Sequence, residues 1–286
     1  MHSHRVRLRS ISLVAIFVAL LSEKGPVRAA NEDCCGHRHA AATTLVAVAD
    51  GVSGYQAADV ASQMAVEVTL GAWAQQDQAM RAEARLARAG QEANIAIYDR
   101  AMVVPALRGM ATTLTDVAIT DGQLAAIHVG DSRLYLVREG RALQLTKDHR
   151  SNKVTLTRCV GRELIVAIDK ITRPLKAGDI LVMCTDWLHD VLRDEDLARL
   201  VTGPAPAEGC QALVDAALAA GADDTSRSPS SRPAPAPSRA RARRAWARGS
   251  GGWSGENADC WGPARVLMLR PCAVRRVPPD ARGRRR

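Results

Sequence analysis

Aromatic side chains are scarce in this sequence, which has one Phe, three Tyr and five Trp among 286 residues. A hydrophobic core can therefore contain few large rings, and Ala, Val and Leu must fill it. The length of the chain allows one large domain or two small ones. The sequence predicts a globular protein with an aliphatic core.

A regular cysteine pattern is also missing. The seven cysteines are an odd number, and their spacing shows no disulfide framework. We therefore predict reduced thiols and a cytoplasmic protein. Cys34 and Cys35, followed by His37 and His39, raise the alternative of a zinc site. They lack the two-residue spacing that is usual between zinc-binding cysteines, which disfavours it.

The sequence lacks an apolar run long enough to cross a membrane as a helix. Residues 11–21 are apolar and follow basic residues, as in a signal peptide, but this stretch is too short to span a bilayer. Charged residues follow soon after, and no small-residue cleavage motif is evident. We favour a buried first strand, with a signal peptide as the alternative.

Lysine is absent from residues 227–286, although this segment is strongly basic. It contains 15 Arg and 3 acidic residues, a net charge of +12, so residues 1–226 carry −3 of the total of +9. Its Arg, Pro, Ser and Ala cannot bury a core. We predict a folded domain at 1–226 and a disordered tail at 227–286. The tail shows no nucleic-acid-binding module, so neither nucleic acid nor a membrane is the expected partner.

Short apolar runs predict strands, and longer periodic segments predict helices. The predicted strands are residues 44–49, 113–119, 123–129, 133–137, 142–145 and 180–184. The predicted helices are residues 57–75, 78–101, 194–201 and 207–220. Strands, then two long helices, further strands and further helices indicate an α+β domain with segregated layers.

Acidic residues lie at strand ends or in turns marked by glycine. They occur in the segments NED (31–33), ADG (49–51), GDSR (130–133), CTDWLHD (184–190) and GADD (221–224). A single such residue commonly only stabilises a turn. If all of them converged without a cation, their repulsion would raise their pKa values and destabilise the fold. The set therefore predicts bound Mg²⁺ or Mn²⁺, which prefer oxygen ligands and water.

Six segments resemble, in the same order, the motifs of the metal-dependent (type 2C, or PPM) serine/threonine protein phosphatases in their bacterial form. They read GPVRAANED, VAVADGVSG, GMATTLTDVAI, AAIHVGDSRLYLVREGRALQLTKDH, LKAGDILVMCTDWLHDVL and GADDTS. The resemblance covers residues 12–226. It implies a β-sandwich flanked by helices, with two metal ions at one end.

The resemblance also implies a role for each matching acidic residue. Asp50 would bridge the two metal ions, and the carbonyl of Gly51 would help to hold the second ion. Glu32 and Asp33 would bind that second ion directly or through water. Asp186 would bind the first ion.

Four further roles are implied in the same way. Asp223 would hold the first ion together with Asp186. Asp131, with Asp190 and Asp186, matches a third and weaker metal site. Arg28 matches the arginine that binds the substrate phosphate, which suits a planar two-pronged donor.

The resemblance implies that a hydroxide bridging two Mn²⁺ or Mg²⁺ ions attacks phosphorus in phosphoserine or phosphothreonine. The enzyme would be a phosphoprotein phosphatase whose partners are phosphorylated proteins, and it would oppose a serine/threonine kinase.

Three departures from the family pattern point to impaired activity, and one of them is Asp224, which stands where the family usually has an asparagine. Trp187 follows Asp186 where the family usually has a glycine, which a tight turn with positive φ would require. In addition, the proline-rich segment after Asp224 cannot form a central strand. The last strand is therefore predicted to be missing, and we hypothesise a frameshift near Thr225. A pseudophosphatase that serves as a regulatory binding module is the alternative function.

Overall fold

The computed structural model describes residues 14–21, 31–40, 42–52, 57–152, 155–221 and 266–273. Within them lie ten strands: β1 Val14–Leu21, β2 Asp33–Ala40, β3 Thr43–Asp50, β4 Leu114–Thr120, β5 Gln123–Val129, β6 Arg133–Arg138, β7 Arg141–Gln144, β8 Asp169–Pro174, β9 Ile180–Cys184 and β10 Val266–Ala273. The α-helices are α1 Ala58–Trp73, α2 Ala82–Val103, α3 Asp186–His189, α4 Asp194–Val201 and α5 Pro206–Ala219. A short 3-10 helix, Pro105–Leu107, follows α2.

The strands form two antiparallel sheets of five strands each. One sheet has the order β1-β10-β9-β6-β7, and the other has the order β2-β3-β4-β5-β8. β4 and β5 form an antiparallel hairpin closed by Asp121 and Gly122, both with positive φ. β6 and β7 form a second hairpin in the other sheet, so the chain crosses between the sheets after β5.

Alternating side chains of each strand fill different layers of the core. Val46 and Val48 of β3 lie between the two sheets, where they pack with Leu134 and Met183 from the opposite sheet. Leu45, on the other face of β3, packs against α1 and α2. A third cluster joins the outer face of the other sheet to α4 and α5. The predicted α+β sandwich flanked by helices is confirmed.

β10 corrects the prediction that the last strand is missing. Its backbone pairs with β1 along its whole length and with β9 from Val266 to Leu269. The strand forms at VLML, the longest apolar run after residue 226, rather than directly after Asp224. Pro271 pairs with Ile16 of β1 beyond the stretch that pairs with β9, so its missing amide donor breaks no bond in the second ladder.

The apolar segment near the N-terminus forms a strand in this sheet. β1 pairs with β10, and Ala19 packs beside the outer cluster. This agrees with the prediction of a first strand, and Val18 and Ala19 on it are half-buried. In the part of the chain that the structure describes, no helix combines the length and the hydropathy needed to span a bilayer.

Candidate active site

Four of the predicted acidic residues lie at the same end of the sandwich. Asp33 begins β2 and Asp50 ends β3, and the two lie directly opposite each other in the register of these strands. Asp131 lies in the turn between β5 and β6, and Asp186 begins α3 immediately after β9. Because the strands are antiparallel, the starts of β2 and β6 meet the ends of β3 and β9 at one edge.

The carboxyl group of Asp50 lies half-buried within this acidic cluster. Asp50 has the same strand parity as Val48, so its side chain points between the sheets, where it is hydrogen-bonded to Asp33. Burial raises the pKa of Asp50 well above its ordinary value, and the charges of Asp33, Asp186 and Asp131 raise it further. A cation at this position would offset that repulsion.

Two threonines fix the backbone of Asp50. The Thr113 hydroxyl oxygen accepts a hydrogen bond from the Asp50 N–H at 2.9 Å, and the Thr112 hydroxyl donates to the Asp50 carbonyl at 2.9 Å. The Thr113 hydroxyl also lies 2.7 Å from that of Ser132, which follows Asp131. These buried hydroxyls connect the backbones of two acidic residues that are distant in sequence.

Gly51 lies where the chain passes closely beneath the start of α1. A Cβ atom at this position would come within 2.4 Å of the carbonyl oxygen of Ala58, so a larger residue would force the two apart. The Gly51 N–H donates to the carbonyl of Glu32 at 3.0 Å, and the Ser62 hydroxyl donates to the same carbonyl. The backbone of Glu32 is thereby placed beside Asp50.

The turn that carries Asp131 depends on Gly130 and His149. Gly130 has a φ of +109°, and its N–H donates to Nδ1 of His149 at 3.1 Å. The His149 N–H donates to the Gly130 carbonyl at 2.7 Å in return. Burial raises the pKa of Asp131 to about 6, and the charge of Asp186 adds to this effect.

A network of charged groups surrounds Asp190. Its carboxylate lies 3.2 Å from the Arg150 guanidinium and 3.3 Å from Nδ1 of His189. The contact with His189, together with the charge of Arg150, lowers the pKa of Asp190. His189 is itself fixed by a 3.0 Å hydrogen bond between its Nε2 and the carbonyl of Asp131.

Trp187 does not cause the strain that the sequence suggested. The residue lies within α3, in right-handed helical backbone, so this turn requires no glycine. Its ring packs against the outer cluster of the sheet that contains Tyr135. One of the three arguments for impaired activity is therefore wrong.

The zinc alternative does not fit the structure either. Cys34, Cys35, His37 and His39 all lie on β2, and adjacent residues of a strand point to opposite faces. Cys34 and Cys35 therefore cannot converge on one ion. Cys159 and Cys184 are free thiols, as predicted for these two residues.

Two predicted site residues, Arg28 and Asp223, lie outside the described residues. Within the ranges that the structure covers, no three His, Cys, Asp or Glu side chains form a group able to hold a metal ion. The donor set nevertheless fits a hard divalent cation, because Asp33 and Asp50 offer adjacent carboxyl groups and the charge of Asp33 raises the pKa of Asp50. Such ions commonly retain several water ligands, so few protein ligands suffice.

Four residues of the site were not predicted from the sequence: Thr112, Thr113, Ser132 and Arg150. Thr112 and Thr113 belong to the quoted segment GMATTLTDVAI, but no spacing rule connects them with Asp50, which is 63 residues before Thr113. Only the pairing of β3 with β4 brings them together.

Known proteins share this sequence pattern and this fold. The profile of the family described as protein phosphatase 2C matches residues 27–219. The chain is 31% identical over 234 residues to the serine/threonine protein phosphatase PstP of Mycobacterium tuberculosis, an alignment that covers 75% of this chain and 44% of that protein. It is 30% identical over 203 residues to the serine/threonine phosphatase stp of Listeria innocua, covering 63% and 81% respectively.

A solved structure agrees with these sequence matches. The catalytic domain of the serine/threonine protein phosphatase PstP, in complex with two manganese ions, superposes with a TM-score of 0.67 at 25% identity. The superposition covers 91% of this chain and 99% of that domain. This chain spans less than half the length of the full PstP protein, 44%. Since the family profile extends through most of the folded region, the chain belongs to the protein phosphatase 2C family.

Proposed function

We propose that this protein is a serine/threonine protein phosphatase that depends on Mn²⁺ or Mg²⁺ and hydrolyses phosphoserine and phosphothreonine in proteins. The convergence of Asp33, Asp50, Asp131 and Asp186 at one end of the sandwich carries this proposal. The names of the relatives in Mycobacterium and Listeria support it.

We further propose which groups hold the metal ions. Asp50 and Asp33 lie side by side and are suited to ligate one ion together with the carbonyl of Gly51. Asp186 is suited to ligate a second ion. When bound, such ions supply Lewis acidity and lower the pKa of a coordinated water. Two manganese ions bound to the PstP catalytic domain support the choice of metal.

Three further ligand or substrate-binding roles rest on the sequence. Glu32 and Asp223 would complete the two ligand sets, and the Arg28 guanidinium would bind the phosphoryl oxygens of the substrate. The backbone of Glu32 is already tied to Gly51 by a hydrogen bond. The chain itself therefore contributes oriented carboxylates and a phosphate-binding cation.

The substrates would be phosphorylated proteins, including those modified by a serine/threonine kinase that the enzyme opposes. We propose that the protein acts in the cytoplasm, since Cys159 and Cys184 are free thiols and such thiols persist in a reducing compartment. The pseudophosphatase alternative has lost its support, because Trp187 lies in a helix and β10 lies in the sheet where the last strand was thought to be missing.

A comparison of variants tests the proposed activity. Hydrolysis of p-nitrophenyl phosphate and of a phosphothreonine peptide would be measured with Mn²⁺ for the native protein, for Asp50→Asn and for Asp116→Asn. Asp116 is also a buried carboxyl, but it lies in β4 and faces α1, outside the site. We expect Asp50→Asn to lose at least about 100-fold in rate, as for loss of a dominant charge-stabilising group. Asp116→Asn should retain activity. Equal rates for the native protein and Asp50→Asn would refute the proposal.

A further inference from the structure

Arg150 joins three carboxylates at the edge of the acidic cluster. Its Nη1 lies 3.2 Å from Asp190 Oδ1 and 3.7 Å from Asp131 Oδ2. Its Nε lies 3.1 Å from Asp148 Oδ2. The guanidinium thus stands between Asp131 and Asp190, the two residues that match the third and weaker metal site of the family.

The backbone of Arg150 is held firmly, which keeps the guanidinium in place. Arg150 forms an antiparallel bridge with Leu156. The preceding residue, His149, is hydrogen-bonded on both sides: its N–H donates to Gly130 at 2.7 Å, and its carbonyl accepts from Thr157 at 2.8 Å. The side chain of Arg150 is only 15% exposed, so water screens these ion pairs little.

Two of the three carboxylates near Arg150, those of Asp148 and Asp190, also contact a second basic side chain. Asp148 accepts a bidentate pair of hydrogen bonds from Arg133, at 2.9 and 2.8 Å. Asp190 contacts His189 in addition to Arg150. This differs from Asp50, whose neighbours are mainly other carboxylates.

A divalent ion bound between Asp131 and Asp190 would meet the fixed charge of the guanidinium at contact distance. The ion would have to displace Arg150 from three carboxylates or share them with it, and both are unfavourable. Arginine cannot relieve the repulsion by releasing its proton, because it stays protonated in proteins. The residues at this position therefore do not fit a third metal ion.

We propose that the Arg150 guanidinium is the built-in cation of the Asp131–Asp190 pair, so that the protein binds two divalent ions and excludes a third. The inference rests on the proposed function insofar as those two ions are the ones of the proposed phosphatase site. Arg150 then holds Asp131 and Asp190 in position, as a third metal ion would otherwise do.

Calorimetric titration of the full chain with Mn²⁺ tests the inference. We expect two ions per native chain and a third, weaker ion in Arg150→Ser, which removes the cation and leaves space. Arg193→Ser is the matched control, because Arg193 is exposed, pairs with Asp196 and contributes the same charge. It should bind two ions. Three ions on the native protein, or two on Arg150→Ser, would overturn the proposal.

A second variant answers the question if Arg150→Ser does not fold. Asp190→Asn removes one carboxylate of the pair while leaving Arg150 in place. We expect it to bind two Mn²⁺ ions with affinities within about twofold of the native values, since Asp190 pairs with Arg150 and ligates no ion. Loss of a bound ion in Asp190→Asn would contradict the proposal.

Parallel rate measurements separate this inference from the proposed function. Native protein that hydrolyses p-nitrophenyl phosphate, with no ion gained in Arg150→Ser, would reject the role of Arg150 and leave the phosphatase activity standing. Inactive native protein, with an ion gained in Arg150→Ser, would reject the activity and support the role of Arg150.

Discussion

Thr113 hydrogen-bonds both backbone groups of Asp50: its hydroxyl oxygen accepts from the Asp50 N–H at 2.9 Å, and its N–H donates to the Asp50 carbonyl at 2.8 Å. The ladder of β3 and β4 is thereby extended to the last residue of β3. The backbone of the central acidic residue is fixed before any ligand binds, which is the usual requirement for a precise site.

Replacement of Thr113 by valine should weaken both the fold and the site. Valine has nearly the same shape but cannot accept the Asp50 N–H, and a buried amide without a partner costs about 1–3 kcal/mol. We expect the free energy of unfolding, measured by urea titration with EDTA present, to fall by that amount. Mn²⁺ affinity should fall as well. Thr113→Ser keeps the hydroxyl and should lie close to the native protein; equal losses in the two variants would contradict this account.

Asp116 is a buried carboxyl group that lies outside the site. We expect it to destabilise the native protein. It is 1% exposed, and neither of its oxygens has a hydrogen-bond partner among the described residues. Thr69, nearby on α1, donates its hydroxyl to the Ala65 carbonyl at 2.8 Å and only slightly offsets the effect of burial. Asp116→Val should increase the free energy of unfolding by about 1–3 kcal/mol at neutral pH.

The gain in Asp116→Val should depend on pH. Burial raises the pKa of Asp116 well above 3.8, so the folded state keeps a proton that the unfolded state releases. The native protein therefore loses stability as pH rises above 3.8, whereas the valine variant does not lose this contribution. Urea titrations at pH 5 and pH 8 should show the larger difference at pH 8. The control Asp116→Asn also lacks the titrating carboxyl group but keeps a buried polar group. If the gain in free energy of unfolding of Asp116→Val were the same at pH 5 and pH 8, titration of Asp116 would not be its cause.

His128 should make the protein sensitive to acid. It is fully buried, accepts at Nδ1 from the Thr115 hydroxyl at 2.9 Å and donates from Nε2 to the Lys147 carbonyl at 3.2 Å. Burial, followed by the charge of His149, lowers the pKa of His128 to about 4 from 6.5. The unfolded state therefore binds the proton first as pH falls, and stability is lost between pH 6.5 and pH 4.

A glutamine at position 128 should flatten that acid dependence. A shift of this size corresponds to about 3 kcal/mol over the whole window. We expect the free energy of unfolding of His128→Gln to vary less with pH between 6.5 and 4 than that of the native protein. His39→Gln is a control, because His39 is exposed and lies at the opposite end of β2 from Asp33. Identical pH profiles for the native protein and His128→Gln would show that His128 is not responsible.

Removal of β10 should destabilise the sheet that contains β1 and β9. A chain that ends at residue 260 lacks the strand between them, and each lost backbone hydrogen bond costs about 1 kcal/mol. We expect a loss of several kcal/mol in urea titration, or failure to fold. A chain that ends at residue 277 keeps β10 and should match the full protein; equal stability of the two truncations would show that β10 contributes nothing.

The frameshift hypothesis for the segment after Thr225 stays a prediction. Translation of the coding DNA in the two other frames checks it, since one of them should then encode a Val- and Ile-rich strand directly after Asp224. Absence of such a strand in both frames would reject the hypothesis. β10, which lies within residues 227–286, pairs with β9 from Val266 to Leu269.

The sequence by itself determined the layers of this protein and the positions of its acidic residues. Alternation of side chains in β3 assigns Val46 to one face and Leu45 to the other, and this local rule needs no knowledge of distant residues. The acidic residues could be predicted at strand ends for the same reason. Their common family pattern then indicated which of them share a site.

Only the tertiary structure decided the contacts between residues distant in sequence. Arg150 and Asp190 are 40 residues apart, and their pairing depends on how the chain after β7 packs beside α3. Likewise, β10 fills the place between β1 and β9 because both strands have backbone groups to pair, whatever the length of the segment before it. The local periodicity of the sequence does not predict such pairings, because they depend on the packing and charge of the whole folded chain.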